Sequence, residues 1–397
     1  MHLAKRSRRG PGLAAATAWI GLGLVLASCS APPKIPAAGY VVDLRVETSV
    51  DSELARYYLE SYLPGKHTDA ALSSKIDSLH HTYQQSTPSR DALGAIALEY
   101  SVDFAALFFA RRLLVDECNA ALNRSFTTYL NSRASPDAGI VASYLVLFVP
   151  GWDYAENGAI TGADFARPRV LATQFGLENY LVELPPTGSV EQNAAFLANE
   201  IVKRGASGKK LIVVGASSAG PAIHLTLGRL LNAGQRQLVK AWLNLGGILQ
   251  GSPLVDYLVA RPWLMTPVIW FTGWDEKAIQ SMATVPSQQR FADLRVDAGI
   301  LVVNYLGIPL SGQLSRHSED KYPILSAQGP NDGLTLLTDA IAPNSLTIVA
   351  LGSDHFFAED PRINEKTVAL MKLMLALVES GATSDGKQCS RLRVAEG

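Results

Sequence analysis

Hydrophobic positions along this chain change their spacing twice. From about Asp51 to Leu130 they recur every three or four residues. Leu54, Tyr57, Tyr58 and Tyr62 make one such stripe, and Phe104, Leu107, Phe108, Leu113 and Leu114 make another. That spacing predicts amphipathic helices. Ahead of them, Tyr40 to Arg45 reads as a short strand. From Ala142 onward the pattern becomes continuous apolar runs at Tyr144 to Val149, Tyr180 to Leu184, Leu211 to Val214, Val239 to Leu245 and Leu346 to Leu351. Amphipathic stretches separate them. One starts at Ser189, an N-cap with Gln192 three residues on, and reaches about Lys203; another begins near Pro221 and ends near Ala233-Gly234. Apolar strands alternating with helices predict an α/β fold, a mostly parallel sheet covered on both faces. The stretch 252–296 breaks the rhythm with many aromatics and prolines and reads as an insertion. Arg111-Arg112 and His80-His81 read as solvated surface.

Composition narrows the possibilities. The 397 residues are 48% hydrophobic and 18% charged, enough to bury a sizeable core and inconsistent with intrinsic disorder. With 35 basic against 36 acidic side chains, nothing here would neutralise a run of phosphates, so no nucleic-acid partner is expected. Three cysteines are too few for a disulfide-built fold and lack zinc-site spacing. No metal or organic cofactor is implied.

The charge is unevenly placed. Within residues 1–28 it is all positive, at Lys5, Arg6, Arg8 and Arg9, and an apolar run from Leu13 to Leu26 follows. This is the layout of a secretory signal peptide, and the run is shorter than the ~20 residues a spanning helix needs. Leu26-Ala27-Ser28-Cys29 resembles the lipobox of bacterial lipoproteins, which implies lipidation of Cys29 and, with Ser30 after it, an outer-membrane address facing the periplasm. The alternative is an ordinary secreted protein in which Cys29 falls near the cleavage point. Ser7-Arg8-Arg9 resembles a twin-arginine signal, but Gly10-Pro11-Gly12 stand where hydrophobic residues are needed. Loss of 1–28 leaves 31 basic against 36 acidic groups, a net charge of −5. It also leaves Cys118 and Cys389 as a possible disulfide in an oxidising compartment. The expected organisation is signal peptide 1–28, lipidated tether 29–39, mainly helical region 40–138, α/β domain 139–384 and tail 385–397.

Candidate chemistry lies at strand ends. Leu211-Ile212-Val213-Val214-Gly215-Ala216-Ser217-Ser218-Ala219-Gly220 reads as a strand, a small-residue turn and a helix start. A serine on such a tight elbow lifts its hydroxyl above the sheet edge. Ser217 is favoured over Ser218 because the apolar run stops at Val214. A serine hydroxyl needs a base, and the base needs a carboxylate to fix its tautomer. Downstream, Gln328-Gly329-Pro330-Asn331-Asp332-Gly333 follows the short apolar run Tyr322 to Ala327, read as a strand. Leu346 to Leu351 runs into Gly352-Ser353-Asp354-His355-Phe356. The order Ser217, Asp332, His355 results, with Asp354 the alternative acid; His224 reads as packed.

These features together resemble the α/β-hydrolase superfamily, over roughly Ala142 to Ser380. Gly246-Gly247-Ile248-Leu249-Gln250-Gly251-Ser252 is similar to the segment following the equivalent strand in bacterial lipases and esterases, with Thr, Pro and His replaced. The resemblance implies an oxyanion hole from the N–H groups of Trp152, in Val149-Pro150-Gly151-Trp152, and Ser218. It also implies that 252–296 forms a cap. The function so expected is cleavage of a carboxylic ester, lipid or small-molecule, by a serine hydrolase attached to the cell envelope. The competing readings are a non-catalytic envelope lipoprotein that uses the scaffold for binding, and an acyltransferase with the same triad.

Overall fold

The computed structural model describes residues 34–133, 137–357 and 360–382; residues 1–28, Cys29 and Cys389 lie outside them. The chain opens on an antiparallel hairpin, β1 (Ile35–Val41) and β2 (Leu44–Val50). Ala37, Val41, Val46 and Val50 are its buried positions. The expected tether therefore gives way to strand at Ile35, and Tyr40 to Arg45 spans the hairpin turn, where Val42 has φ +55°. Pro36 and the small residues after it obscure the period-two alternation that would have marked β1.

Five helices follow: α1 (Glu53–Tyr57), continuing as a π turn over Tyr58–Tyr62, α2 (Ala70–Thr82), α3 (Arg90–Glu99), α4 (Val102–Val115) and α5 (Glu117–Asn131). Each starts where a short polar side chain accepts a free first-turn N–H. The capping pairs are Ser52 with Ala55, Asp69 with Leu72, Ser89 with Ala92, Ser101 with Phe104 and Asp116 with Asn119. Such a cap stabilises a helix by about 1 kcal/mol. His80 does not behave as solvated surface. Its Nε2 lies 3.0 Å from the Tyr58 hydroxyl, and its ring stacks on Tyr62. Cys118, in the first turn of α5, is disulfide-bonded.

The second region runs α6 (Ala138–Ala142), β3 (Tyr144–Val149), α7 (Tyr154–Thr161), α8 (Ala166–Gln174), β4 (Glu178–Leu181), α9 (Val190–Gly205), β5 (Lys210–Ala216), α10 (Ala219–Leu225), α11 (Ala233–Arg236) and β6 (Val239–Leu245). After β6 come four short helices, α12 (Pro253–Val259), α13 (Pro262–Thr272), α14 (Glu276–Gln280) and α15 (Thr284–Ala292). The chain then returns through β7 (Leu301–Ile308), α16 (Tyr322–Ser326), β8 (Leu346–Leu351) and α17 (Ile363–Glu379). The sheet order is β4-β3-β5-β6-β7-β8 with every pairing parallel. With helices on both faces, this is an α/β fold built on a six-stranded parallel sheet.

Side-chain alternation explains why the strands are continuously apolar. Leu145, Leu147 and Val149 face the layer of α9 and α10, while Val146 and Phe148 face the layer of α5, α8 and α17. The helical N-terminal region is not a separate lobe. Phe104, Leu107 and Phe108 share one core cluster with Leu306 and Ile308 of β7, Val349 of β8 and Leu337 in the connection between those strands.

Two further expectations differ from the structure. The strand β7 is absent from the predicted set, because Asn304 interrupts its apolar run. Tyr322–Ser326 is a helix rather than a strand: Pro323 sits in its first turn, and a five-residue apolar run does not reveal its period. Asp332 is therefore reached from β7 through an excursion that includes α16.

Candidate active site

The strand β5 ends in a forced turn. Ser217 adopts φ +55°, a left-handed conformation that costs a residue with a Cβ about 1–2 kcal/mol. Ser218 has an ordinary φ of −60°. The turn is held by backbone bonds. The Ser217 N–H donates to Leu245 O at 3.2 Å, and its carbonyl accepts from Gly220 N at 3.0 Å and Ile248 N at 3.2 Å. Small neighbours are obligatory here. A Cβ on Gly215 would lie 2.1 Å from Ile223 Cδ1, and one on Gly220 would lie 2.7 Å from Gly247 Cα. Ser217 is half-buried whereas Ser218 is buried, so the strained serine is the one that solvent and ligands can reach.

His355 lies just past the end of β8, and its Nδ1 is 2.8 Å from Asp332 Oδ2. An ionised carboxylate only accepts, so this contact places the proton on Nδ1 and leaves Nε2 as the basic nitrogen. The other Asp332 oxygen accepts from Leu334 N at 2.9 Å and Thr335 N at 2.8 Å. A backbone bond from His355 N to Asp332 O at 2.8 Å ties the two loops together. Both residues are buried. Burial of the ring opposes its protonation, but the charge and hydrogen bond of Asp332, with a smaller contribution from Asp354, leave the His355 pKa above the ordinary imidazole value. Asp354, the alternative acid, is turned elsewhere. Its Oδ2 accepts from Ser315 N at 2.8 Å and its Oδ1 from Phe356 N at 3.0 Å.

Gly246, immediately after β6, joins the serine to this pair. Its neighbour Leu245 receives the Ser217 N–H, and a Cβ on Gly246 would sit 3.5 Å from His355 Nδ1 and 3.7 Å from Asp332 Oδ2. Ser217, His355 and Asp332 are thus gathered at the carboxyl edge of the parallel sheet, where open α/β sheets hold their ligands.

The loop after β3 reaches the same place. A Cβ on Gly151 would lie 3.5 Å from Ser217 Cβ. The N–H groups on either side of Trp152 are engaged, Gly151 with Ala163 O at 3.2 Å and Asp153 with Pro186 O at 2.8 Å. Those of Trp152 and Ser218 have no protein acceptor among the described residues. Two unsatisfied donors beside a strained serine are what a developing oxyanion requires.

The elements α12 to α15 are contributed by the insertion. On α13, Trp263, Trp270 and Phe271 are 62%, 75% and 55% exposed. Trp274, just beyond α13, makes an edge-to-face contact with Trp152 at 5.6 Å between centroids and 88° between planes. His224 is buried against Trp242 and Phe291 and takes no part in the constellation.

One group behind the elbow was not singled out from sequence. Asn244 of β6 donates to Asn304 Oδ1 at 3.0 Å and to Ala340 O at 2.8 Å, and Asn304 donates to Ser345 Oγ at 2.6 Å and Thr347 Oγ1 at 3.1 Å. A Cβ on Gly247 would strike Asn244 Oδ1, so the amide packs directly under the Gly220–Gly247 contact. The signal was present as a lone amide within each of two apolar runs. Among the described residues, no group of three or more His, Cys, Asp or Glu side chains could hold a metal ion. Nor is any helix among them long and apolar enough to cross a membrane.

No protein-family model matches the chain, and no curated protein matches it. Solved structures do. The metagenomic carboxyl esterase MGS0156 is 17% identical, over 66% of this chain and 91% of the esterase, with a TM-score of 0.49. The mature Bacillus licheniformis lipase BlEst2 is 19% identical over 58% of this chain and 89% of its own, with a TM-score of 0.46. EstA from Clostridium botulinum is 14% identical over 60% and 89%, with a TM-score of 0.41.

Proposed function

We propose that this chain is a serine hydrolase of carboxylic esters that works through an acyl-enzyme. The observation that carries this reading is the left-handed Ser217, whose N–H bonds Leu245 O directly before Gly246, the glycine that packs against the buried His355–Asp332 pair. In this reading Ser217 Oγ attacks the ester carbonyl while His355 Nε2 takes its proton. The N–H groups of Trp152 and Ser218 hold the oxyanion. His355 then returns the proton to the leaving alkoxide, and water repeats the sequence on the acyl-enzyme. Asp332 stays ionised, holding the imidazole and stabilising its cation. The apolar insertion suits a lipid or other acyl ester as substrate.

Labelling with a fluorophosphonate tests the assignment. The wild-type chain and Ser218→Ala should label, and Ser217→Ala should not. Hydrolysis of p-nitrophenyl esters should fall about 10⁴-fold or more in Ser217→Ala, because the triad acts as a unit. A chain that neither labels nor hydrolyses would support the binding-scaffold reading instead.

The same proposal places the enzyme in a bacterial cell envelope, anchored through lipid on Cys29. Replacing Cys29 with Ala should abolish incorporation of a labelled fatty acid. With Cys29 so used, Cys389 is the remaining partner for the disulfide at Cys118.

A further inference from the structure

We propose that Trp274 is a positioning residue of the oxyanion hole, acting through Trp152; this deepens the hydrolase reading and rests on it. The Trp152 N–H has no protein acceptor among the described residues, so no hydrogen bond of its own fixes where it points. Its peptide follows Gly151, which has no side chain to brace it. The hydrogen bonds of Gly151 and Asp153 hold the backbone on either side, and the indole of Trp152 adds a side-chain hold on the residue that bears the donor.

That indole is gripped from two sides. Val190 and Ala194 of α9, and Ile248 after β6, belong to the sheet domain, while Met282 and Leu294 come from the insertion, and all share one cluster with Trp152. Trp274 closes the grip edge-on, at 5.6 Å and 88°. It is itself well fixed. Gly273, in the left-handed region at φ +70°, ends α13 directly before it; Asp275 caps α14 directly after it. The Trp274 N–H donates to Thr272 Oγ1 at 3.3 Å. A ring anchored at a junction of two helices thus bears on the residue that supplies an oxyanion donor. An edge-to-face pair has a preferred geometry that an aliphatic contact of equal size lacks.

Loss of an oxyanion donor costs about 10²–10³ in kcat. Removing Trp274 leaves the donor present but less well aimed, so the expected effect is a fall in kcat of roughly tenfold with KM within about twofold. Trp274→Phe, which keeps an aromatic edge, should recover most of the rate. Trp274→Leu, which keeps apolar bulk without a ring, should not, and it guards against Trp274→Ala failing to fold. The deciding measurement is a double-mutant cycle on p-nitrophenyl acetate hydrolysis. If Trp274 acts through Trp152, Trp274→Leu should lower kcat in the wild-type background and have little further effect on Trp152→Ala. Additive losses, a change confined to KM, or an unchanged kcat would each overturn the proposal. The last, with Ser217→Ala inactive, would overturn it alone; residual full activity in Ser217→Ala would overturn the hydrolase reading beneath it.

Discussion

At the scale of single residues, the acid pair shows how direction decides between equals. Asp332 and Asp354 both lie near His355 in the chain or in space, and composition does not distinguish them. Asp354 is committed to two backbone donors, whereas Asp332 divides its oxygens between backbone donors and the imidazole. Because Asp332 raises the His355 pKa, the basic form dominates only above an ordinary imidazole's titration. The acid limb of kcat/KM against pH should therefore have a midpoint above 6.5, activity rising with pH through it. Asp332→Asn should lower that midpoint and reduce kcat by orders of magnitude. Asp354→Asn should cost far less in kcat, since its role is to hold the loop. A pH–rate profile of the three proteins decides the matter. That the sharp turn centres on Ser217 rather than Ser218 was legible locally, from where the apolar run stops, because a strand-to-helix turn is built from adjacent residues.

Among the elements, those with a local signature were readable and those defined by their neighbours were not. The helix α9 begins at Ser189 with the capping box anticipated from Ser189 and Gln192, and it reaches Gly205. Strands β3, β6 and β8 coincide with their apolar runs. The strand β7 does not stand out, because Asn304 is satisfied by partners on β6, on β8 and in the loop just before β8. The helix α3 provides a lock that no local pattern reveals: Arg90 makes an ion pair of 2.8 Å with the fully buried Asp339 carboxylate. Burial raises that carboxyl to about 7 even against the lowering effect of Arg90. Removing the guanidinium strands a buried acid. Arg90→Ala should destabilise the protein by about 3 kcal/mol, seen as a lower urea midpoint at unchanged slope.

Over the whole molecule, the N-terminal region and the sheet domain behave as one body with a titratable joint. Asp103 of α4 is fully buried and accepts from Asp51 N at 2.7 Å, beyond the hairpin, and from Ser311 N at 2.9 Å and Ser311 Oγ at 2.6 Å, beyond β7. Burial first, and then the nearby Asp51 charge, raise its pKa to about 7. A carboxyl whose pKa is higher folded than unfolded binds its proton more tightly in the native state. Its contribution is full at acid pH and is lost as pH rises from about 4 to about 7. Thermal stability should fall across that interval, and the Asp103 share of the slope should vanish in Asp103→Asn, as Tm measured at pH 5 and pH 8 would show. By itself the sequence determined the alternation of strand and helix, the small-residue elbow at Ser217 and the position of His355 just past β8. Those follow from spacing, capping and turn chemistry among near neighbours. Tertiary structure alone decided that Asp354 turns to the Ser315 and Phe356 N–H groups, that α4 completes the core beneath β7 and β8, and that an insertion tryptophan bears on Trp152. Each of these depends on side chains distant in sequence meeting in one packed volume, and no local pattern encodes which surfaces will meet.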